Sequence, residues 1–167
     1  MLVLGAALGT GCSGGSTPDA GMPSSVDGFA DIGLELGTGQ LSYETVPPYG
    51  ARVELIHGPQ GGYHIYGRYR FAGFGPDINV TFRVTPAEGG APVNDPTYRV
   101  HRLAGRGLAQ WQSGWECSSP ELVILTQVHG PGDVVGRRFR WEVFVQDVAT
   151  QRVATAVREI TIVDDVP

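Results

Sequence analysis

The sequence predicts an all-β protein, an antiparallel β-sandwich of about seven to nine short strands. Three observations lead to this prediction. Apolar and polar residues alternate in several segments of the 167-residue chain, as they do in strands with one buried face. The 25 Gly and 12 Pro are spread along the sequence and indicate many turns. No segment of the sequence has a sustained helical period.

The alternating segments follow one another along most of the chain after residue 31. They predict strands at 33–37, 41–46, 52–56, 63–71, 77–85, 97–103, 121–129, 138–146 and 152–163. In the fifth of these strands the residues predicted to face inward are Ile78, Val80, Phe82 and Val84. In the eighth they are Phe139, Trp141, Val143 and Val145.

Two of the segments depart from simple alternation. The strand at 152–163 changes phase between its Val and Ile residues, which predicts a β-bulge at 158–159. The strand at 121–129 contains the run Leu122-Val-Ile-Leu125, which is apolar on both faces and predicts a central strand. A hairpin loop is predicted at 147–151. Strand number and spacing together favour an immunoglobulin-like sandwich, with a jelly roll or a barrel as the alternative.

The composition excludes some functions. All twelve basic residues are Arg, so the sequence has neither the Lys of a phosphate-binding P-loop nor the Lys of Schiff-base catalysis. The formal net charge of −5 argues against a nucleic-acid partner. No nucleophile elbow and no metalloprotease motif is present, so the sequence predicts neither an enzyme nor a cofactor, and no catalytic residue is proposed.

The N-terminal segment is predicted to be a secretory leader. Residues 1–12 form an apolar run that ends in small residues and Cys12, and this run is shorter than the about 20 residues that span a bilayer. Residues 13–30 are rich in Gly, Ser and Pro and predict a flexible linker. Residues 31–167 are then predicted to form a single β-sandwich domain.

The end of the leader resembles the lipobox of bacterial lipoproteins. The match covers Leu8 to Cys12, and Gly11 fits it well. Gly9 departs from it, since the family usually has Leu there, and no Arg or Lys precedes the apolar run. The resemblance implies that Cys12 is diacylated and anchors the chain to a membrane. Ser13 is not the Asp that favours inner-membrane retention in that family, so the resemblance implies the outer membrane.

A second resemblance covers the segment from His57 to His64. The segment is similar to a Gly-rich loop of small uncharacterised envelope lipoproteins from GC-rich Gram-negative bacteria, which implies a sandwich fold at the cell envelope and no chemistry. Two histidines could also bind copper or zinc. However, if the flanking strands form one hairpin, the phase of the strands places His57 opposite Tyr63 and not opposite His64.

Aromatic residues offer another candidate site. Trp111 and Trp115 lie in a polar segment predicted to be a loop, and Tyr66 and Phe144 lie on outward strand phases. Together they could stack against sugar rings, as in carbohydrate-binding modules; alternatively, the loop covers the sandwich with its Trp side chains. The second cysteine, Cys117, is predicted to be buried, and a disulfide within the chain is expected only if Cys12 is not lipidated.

The sequence therefore favours an envelope lipoprotein with a non-catalytic binding or structural β-sandwich. The expected partners are the membrane, through the lipid on Cys12, and an envelope polysaccharide or another envelope protein. A carbohydrate-binding module and a periplasmic or surface metal binder remain the alternatives.

Overall fold

Twelve β-strands and one short 3-10 helix, Pro131–Asp133, form the part of the chain that the structure describes. The computed structural model describes residues 32–103, 108–110 and 115–164, so the predicted leader and linker lie outside it. The strands in chain order are β1 Gly33–Thr38, β2 Glu44–Thr45, β3 Ala51–Glu54, β4 Ile56–His57, β5 Tyr63–Ala72, β6 Asp77–Pro86, β7 Val100–Leu103, β8 Leu108–Gln110, β9 Glu116–Ser118, β10 Glu121–Ile124, β11 Arg138–Asp147 and β12 Val153–Val163. Within these residues, no helix has the length and apolar character needed to cross a membrane.

The strands form two sheets, which confirms the predicted β-sandwich. The first sheet has the order β2-β1-β5-β9-β8, with β4 and β10 also paired to β5, and the second has the order β3-β12-β11-β6-β7. All pairs are antiparallel except β3 with β12, which is parallel. The orders β1-β5-β9-β8 and β12-β11-β6 match the A-B-E-D and G-F-C sheets of an immunoglobulin-like fold. The described strands outnumber the predicted seven to nine because several of them have only two to four residues.

The core lies between the sheets and contains the inward phases of the long strands. All eight residues predicted to face inward from β6 and β11 are at most 6% exposed. Tyr69 of β5 and Phe82 of β6 have ring centroids 6.2 Å apart, so an aromatic contact joins the two sheets. Burying a side chain of this size contributes about 1.5–3 kcal/mol, so this contact stabilises the packing of the two sheets.

The bulge predicted in the last strand is wrong. The register of β11 with β12 runs without interruption from Arg138 opposite Thr161 to Gln146 opposite Val153. Ala156 is buried on the inward phase together with Ile160 and Ile162, while Val153 is exposed. The apparent phase change arose because valines lie on the outer phase, and β-branched residues favour strands on either face.

The prediction of a central strand at 121–129 is also wrong. The strand β10 ends at Ile124, and β5 is its one partner among the described strands. Leu122 and Ile124 are 52% and 57% exposed. The chain turns away after β10, where Val128 N–H donates to Leu125 O over 3.2 Å, so β10 is an edge strand with apolar residues on both faces.

Candidate functional site

The register of β4 and β5 separates the two candidate metal-binding histidines. His57 pairs with Tyr63 and Ile56 pairs with His64, as the phase of the strands predicted. His57 contacts the edge of the Tyr63 ring at 5.2 Å, and its Nε2 lies 3.1 Å from Oδ2 of Asp164. Because neighbouring strand positions point to opposite faces, the two imidazoles do not converge on one ion.

The described residues contain no group of three or more His, Cys, Asp or Glu that could hold a metal. His64 packs against the ring of Tyr66 at 5.6 Å, and partial burial lowers the pKa of its imidazole. This environment favours an apolar contact surface over a charged one at His64.

Trp115 packs onto the outer face of the first sheet. A Cβ atom placed on Gly33 would lie 2.4 Å from the Trp115 ring, so the indole covers this glycine. The Arg70 guanidinium lies 5.4 Å from both the Trp115 and the Tyr43 ring centroids and pairs with Glu35 at 2.6 Å. The Trp115 indole thus already has contacts within the domain. This agrees with the alternative from the sequence in which the loop covers the sandwich with its Trp side chains. Trp111 lies outside the described residues.

The other two candidate aromatic residues lie on different sheets. Tyr66 is half-buried on the outer face of the first sheet. Phe144 lies on the outer face of the second sheet, where the Arg83 guanidinium covers its ring at 5.2 Å. The described aromatic candidates therefore do not form one sugar-binding platform.

Sequence reasoning missed a surface to which β10 contributes. Leu122 pairs with Tyr66 and Ile124 pairs with His64, so these four side chains share one face of the first sheet. We call these four residues the outer β10 face. The signal in the sequence was the run Leu122-Val-Ile-Leu125, since two apolar faces indicate either a central strand or an edge strand with an interface.

An apolar cleft of about 420 Å³ lies beside β10, between it and the segment 94–100, which leads into β7 of the second sheet. Its lining residues are Phe82, Asn94, Asp95, Tyr98, Val100, Pro120, Glu121, Leu122, Val123, Ile124 and Thr126. Phe82 and Val123 belong to the core, and Tyr98 on the rim is 65% exposed. The cleft thus reaches from solvent to the core where the two sheets separate.

The wall of the cleft opposite β10 is held by a buried amide. Asn94 is 5% exposed, its Oδ1 accepts from Val84 N–H at 2.7 Å, and its Nδ2 donates to Phe82 O at 2.9 Å. Asp95 Oδ1 accepts from the backbone N–H and the hydroxyl of Thr97, which lowers the pKa of the Asp95 carboxyl. The Asn94 bonds fix the segment against β6, and the Asp95 bonds hold the turn at 95–97, so this wall is preformed.

An ion pair joins the two sheets at one end of the cleft. The carboxylate of Glu121 on β10 accepts from Arg102 on β7, with Arg102 Nε 2.7 Å from Glu121 Oε1. Burial raises the pKa of the Glu121 carboxyl, and Arg102 opposes that rise. The pair holds β10 and β7 at a fixed separation, which keeps the cleft between them open.

A second, more polar groove of about 370 Å³ lies on the outer face of the second sheet. Its lining includes the Phe144 ring, the guanidinium groups of Arg83 and Arg99, and the amides of Asn79 and Gln146. The acid across from Arg83, Glu142, is paired with Arg140 at 2.9 Å. The groove therefore offers one aromatic ring, two cations and neutral hydrogen-bonding groups.

Cys117 lies in β9, a strand in the polar segment that the sequence predicted to be a loop. As predicted, Cys117 is buried, with 1% exposure, and it is disulfide-bonded. The neighbouring Ser118 accepts the Tyr69 N–H at 3.0 Å with its hydroxyl oxygen. Small residues that bond to the backbone let this polar stretch join the first sheet.

No protein-family model matches this chain, and no curated protein sequence matches it. Among solved structures it is similar to the CooA pilin subunit from enterotoxigenic Escherichia coli. The identity is 11%, the TM-score is 0.37, and the match covers 80% of this chain and 99% of that chain. A similarity of this size supports no conclusion about function.

Proposed function

We propose that this chain is a non-catalytic protein-binding domain of the bacterial cell envelope. Its binding site consists of the outer β10 face and the apolar cleft beside it. The observation that carries the proposal is the exposure of Leu122 and Ile124 by more than half on an edge strand. Exposed apolar residues on an open strand edge invite association, so proteins usually avoid them unless a partner covers them.

The composition of this surface favours a protein over a sugar or a metal. The described lining of the cleft has only two carboxylates, and one of these, on Glu121, is already paired. The aromatic Tyr98 on the rim and the buried Phe82 beneath it resemble the centre of a protein interface, where aromatic residues are enriched and charges are depleted.

The location at the envelope rests on the leader that ends at Cys12. A lipid on this residue requires that Cys12 does not form the disulfide of Cys117. With the linker 13–30, such a lipid would hold the domain at a distance from the membrane surface. An envelope protein is therefore the partner class that we propose, with the membrane as the anchor.

Site-specific photocrosslinking in the exporting bacterium tests the proposal. A benzophenone amino acid at position 124 is expected to give one adduct of defined mass, and the adduct is expected to disappear in Leu122→Asp. The matched control is position 153, because Val153 is also 57% exposed but lies on the second sheet. No adduct from position 124, or the same adduct from both positions, would overturn the proposal.

The groove at Phe144 supports glycan binding as a second candidate function. A ring with nearby cations and amides suits a sugar that carries carboxylates. Native electrophoresis through a gel that contains alginate tests this function. Wild type is expected to be retarded and Phe144→Ala is not, while Tyr66→Ala on the other sheet serves as the control. Equal mobility with and without alginate would exclude this class of glycan.

A further inference from the structure

We infer that the partner binds as an extended segment that adds one strand to the open edge of β10. The inference rests on the proposed function and names the chemistry of its site. The added strand would hydrogen-bond to β10 and place alternate side chains in the cleft. Its other side chains would lie over the outer β10 face.

The hydrogen bonds around β10 show which backbone groups are available. Leu125 N–H donates to Tyr63 O at 2.8 Å, which fixes the phase of the antiparallel ladder. Every second residue of β10 bonds in the same direction, so Glu121 and Val123 direct their backbone groups at β5. Leu122 and Ile124 direct theirs away from β5, and no backbone partner meets them among the described residues.

The cleft lies where the side chains of an added strand would point. A strand beside β10 would run about 4.8 Å from it, over the gap between β10 and β7. Its inward side chains would follow the same direction as Val123, which is buried and lines the cleft together with Phe82 and Val100. Main-chain bonds would then supply affinity, and the cleft would select apolar side chains at every second position.

A second copy of this chain would fill the site less well. In an edge-to-edge pair of β10 strands, the inward Val123 and Leu125 of each copy stay in their own core, where they are 4% and 2% exposed. Such a pair leaves both clefts empty. A separate extended peptide has inward side chains free to enter the cleft, so it buries more apolar surface at the same edge.

Charge also distinguishes the partner. The described lining of the cleft includes the carboxylates of Asp95 and Glu121 and no Arg or His. Asp95 on the rim is exposed, and its pKa is lowered, so it stays ionised at neutral pH. We therefore assign the occupant as a peptide segment with apolar residues at alternate positions and a basic residue beside them.

The test uses the full chain, immobilised, and phage-displayed random dodecapeptides as the probe. Selected peptides are expected to carry apolar residues with a period of two and to have a net positive charge. A synthetic copy of one of them is then added in hydrogen-exchange experiments. The amides of Leu122 and Ile124 are expected to exchange about tenfold or more slowly, and the Val123 amide, already bonded to β5, changes much less.

One variant of the protein and one modification of the peptide test the backbone role of β10. Ile124→Pro removes an N–H that points away from β5 together with the Ile side chain, and edge strands accept Pro at such positions. It is expected to weaken peptide binding about fivefold or more, and N-methylation of alternate peptide amides, which leaves the protein's side chains intact, is expected to weaken it as well. Circular dichroism melting shows whether Ile124→Pro is folded, and if it is not, the N-methylated peptide alone provides the test.

The outcomes distinguish failure of this inference from failure of the proposed function. Peptides that bind wild type and Leu122→Asp equally, or no selected peptide at all, contradict the proposed function together with the inference. Peptides that need Leu122 but have a helical spacing of apolar residues overturn strand addition alone. Peptide binding that leaves the exchange of the Leu122 and Ile124 amides unchanged also overturns strand addition alone.

Discussion

At the scale of single residues, Asp147 is the side chain on which the turn from β11 to β12 depends. Its Oδ2 accepts from Gly75 N–H at 2.6 Å and its Oδ1 from Thr150 N–H at 2.8 Å, and the residue is 2% exposed. We expect Asp147→Ala to lower the free energy of unfolding by about 1–3 kcal/mol, because two partly buried hydrogen bonds lose their acceptor. Urea denaturation measures the change.

A matched control is Asp133→Ala. Asp133 Oδ2 also accepts two backbone amides, from His129 at 2.8 Å and Gly130 at 3.1 Å, but it is exposed. Water can replace those bonds, so the loss of stability is expected to be smaller than for Asp147→Ala. Equal losses for the two variants would contradict the role given to burial at Asp147.

Asp147 also predicts a dependence of stability on pH. The backbone N–H groups of Thr150 and Gly75 hold the pKa of the Asp147 carboxyl below its ordinary value of about 4. A carboxyl with a lowered folded-state pKa stabilises the fold above its unfolded pKa, and this stabilisation is lost as the pH falls through the folded value. Asp147→Asn is therefore expected to melt at a lower temperature than wild type at neutral pH. This difference in melting temperature is expected to shrink in acid. A difference that widens in acid would contradict this reasoning.

At the scale of elements, β10 predicts opposite results for neighbouring residues. Leu122 and Ile124 are exposed, so Leu122→Thr and Ile124→Thr are expected to change the free energy of unfolding by no more than about 0.5 kcal/mol. Val123 is 4% exposed in the core, so Val123→Thr is expected to cost about 1–3 kcal/mol by burying a hydroxyl. Thermal denaturation of the three variants measures this, and similar losses for all three would show that both faces of β10 are buried.

The two long antiparallel strands β6 and β11 could be predicted from the sequence, and their partners could not. Alternation reports which side chains a strand buries, and it gave the buried apolar residues of β6 and β11, though not the buried Asp147 at the end of β11. It does not report whether the edge of a strand is paired, since that depends on contacts distant in sequence. For this reason the apolar run in β10 indicated a central strand, and the polar strand β9 was not predicted at all.

The candidate site was harder to predict for the same reason. The separation of His57 and His64 followed from strand phase and local register, which a short loop determines. The meeting of Leu122 with Tyr66 depends on the pairing of β10 with β5, strands that are far apart in the chain. The outward phases of Tyr66 and Phe144 were predicted, but not the assignment of these residues to different sheets.

At the scale of the whole molecule, the two sheets are joined differently at their two sides. On one side β3 of the second sheet runs parallel to β12, and the chain continues through Leu55 into β4 of the first sheet. The Leu55 N–H donates to Val163 O at 2.7 Å. On the other side β10 and β7 share no backbone ladder among the described strands, and the ion pair of Glu121 with Arg102 joins them. The cleft lies on this second side, so the binding site that we propose lies where the sandwich itself is least closed.

The proposed attachment of the molecule to the envelope yields the last prediction, and it concerns both cysteines. Cys117 is disulfide-bonded, and the sequence has one other cysteine, Cys12. A cysteine sulfur that carries a thioether-linked lipid cannot also form a disulfide, so anchoring through Cys12 and an internal disulfide exclude each other. If Cys12 carries the lipid, chain exported with its leader incorporates a labelled fatty acid and Cys12→Ala incorporates none; if Cys12 forms the disulfide with Cys117, neither chain incorporates the label.

Counting thiols in the same membrane fraction decides between the two states. The count is made in denaturant, because Cys117 is 1% exposed and native protein would react slowly. If Cys12 carries the lipid, reduction with dithiothreitol releases no pair of thiols from the chain. If reduction releases two thiols per chain and the fatty acid is absent, Cys12 belongs to a disulfide. The lipid anchor would then be excluded, and the proposed function would rest on the outer β10 face and the cleft alone.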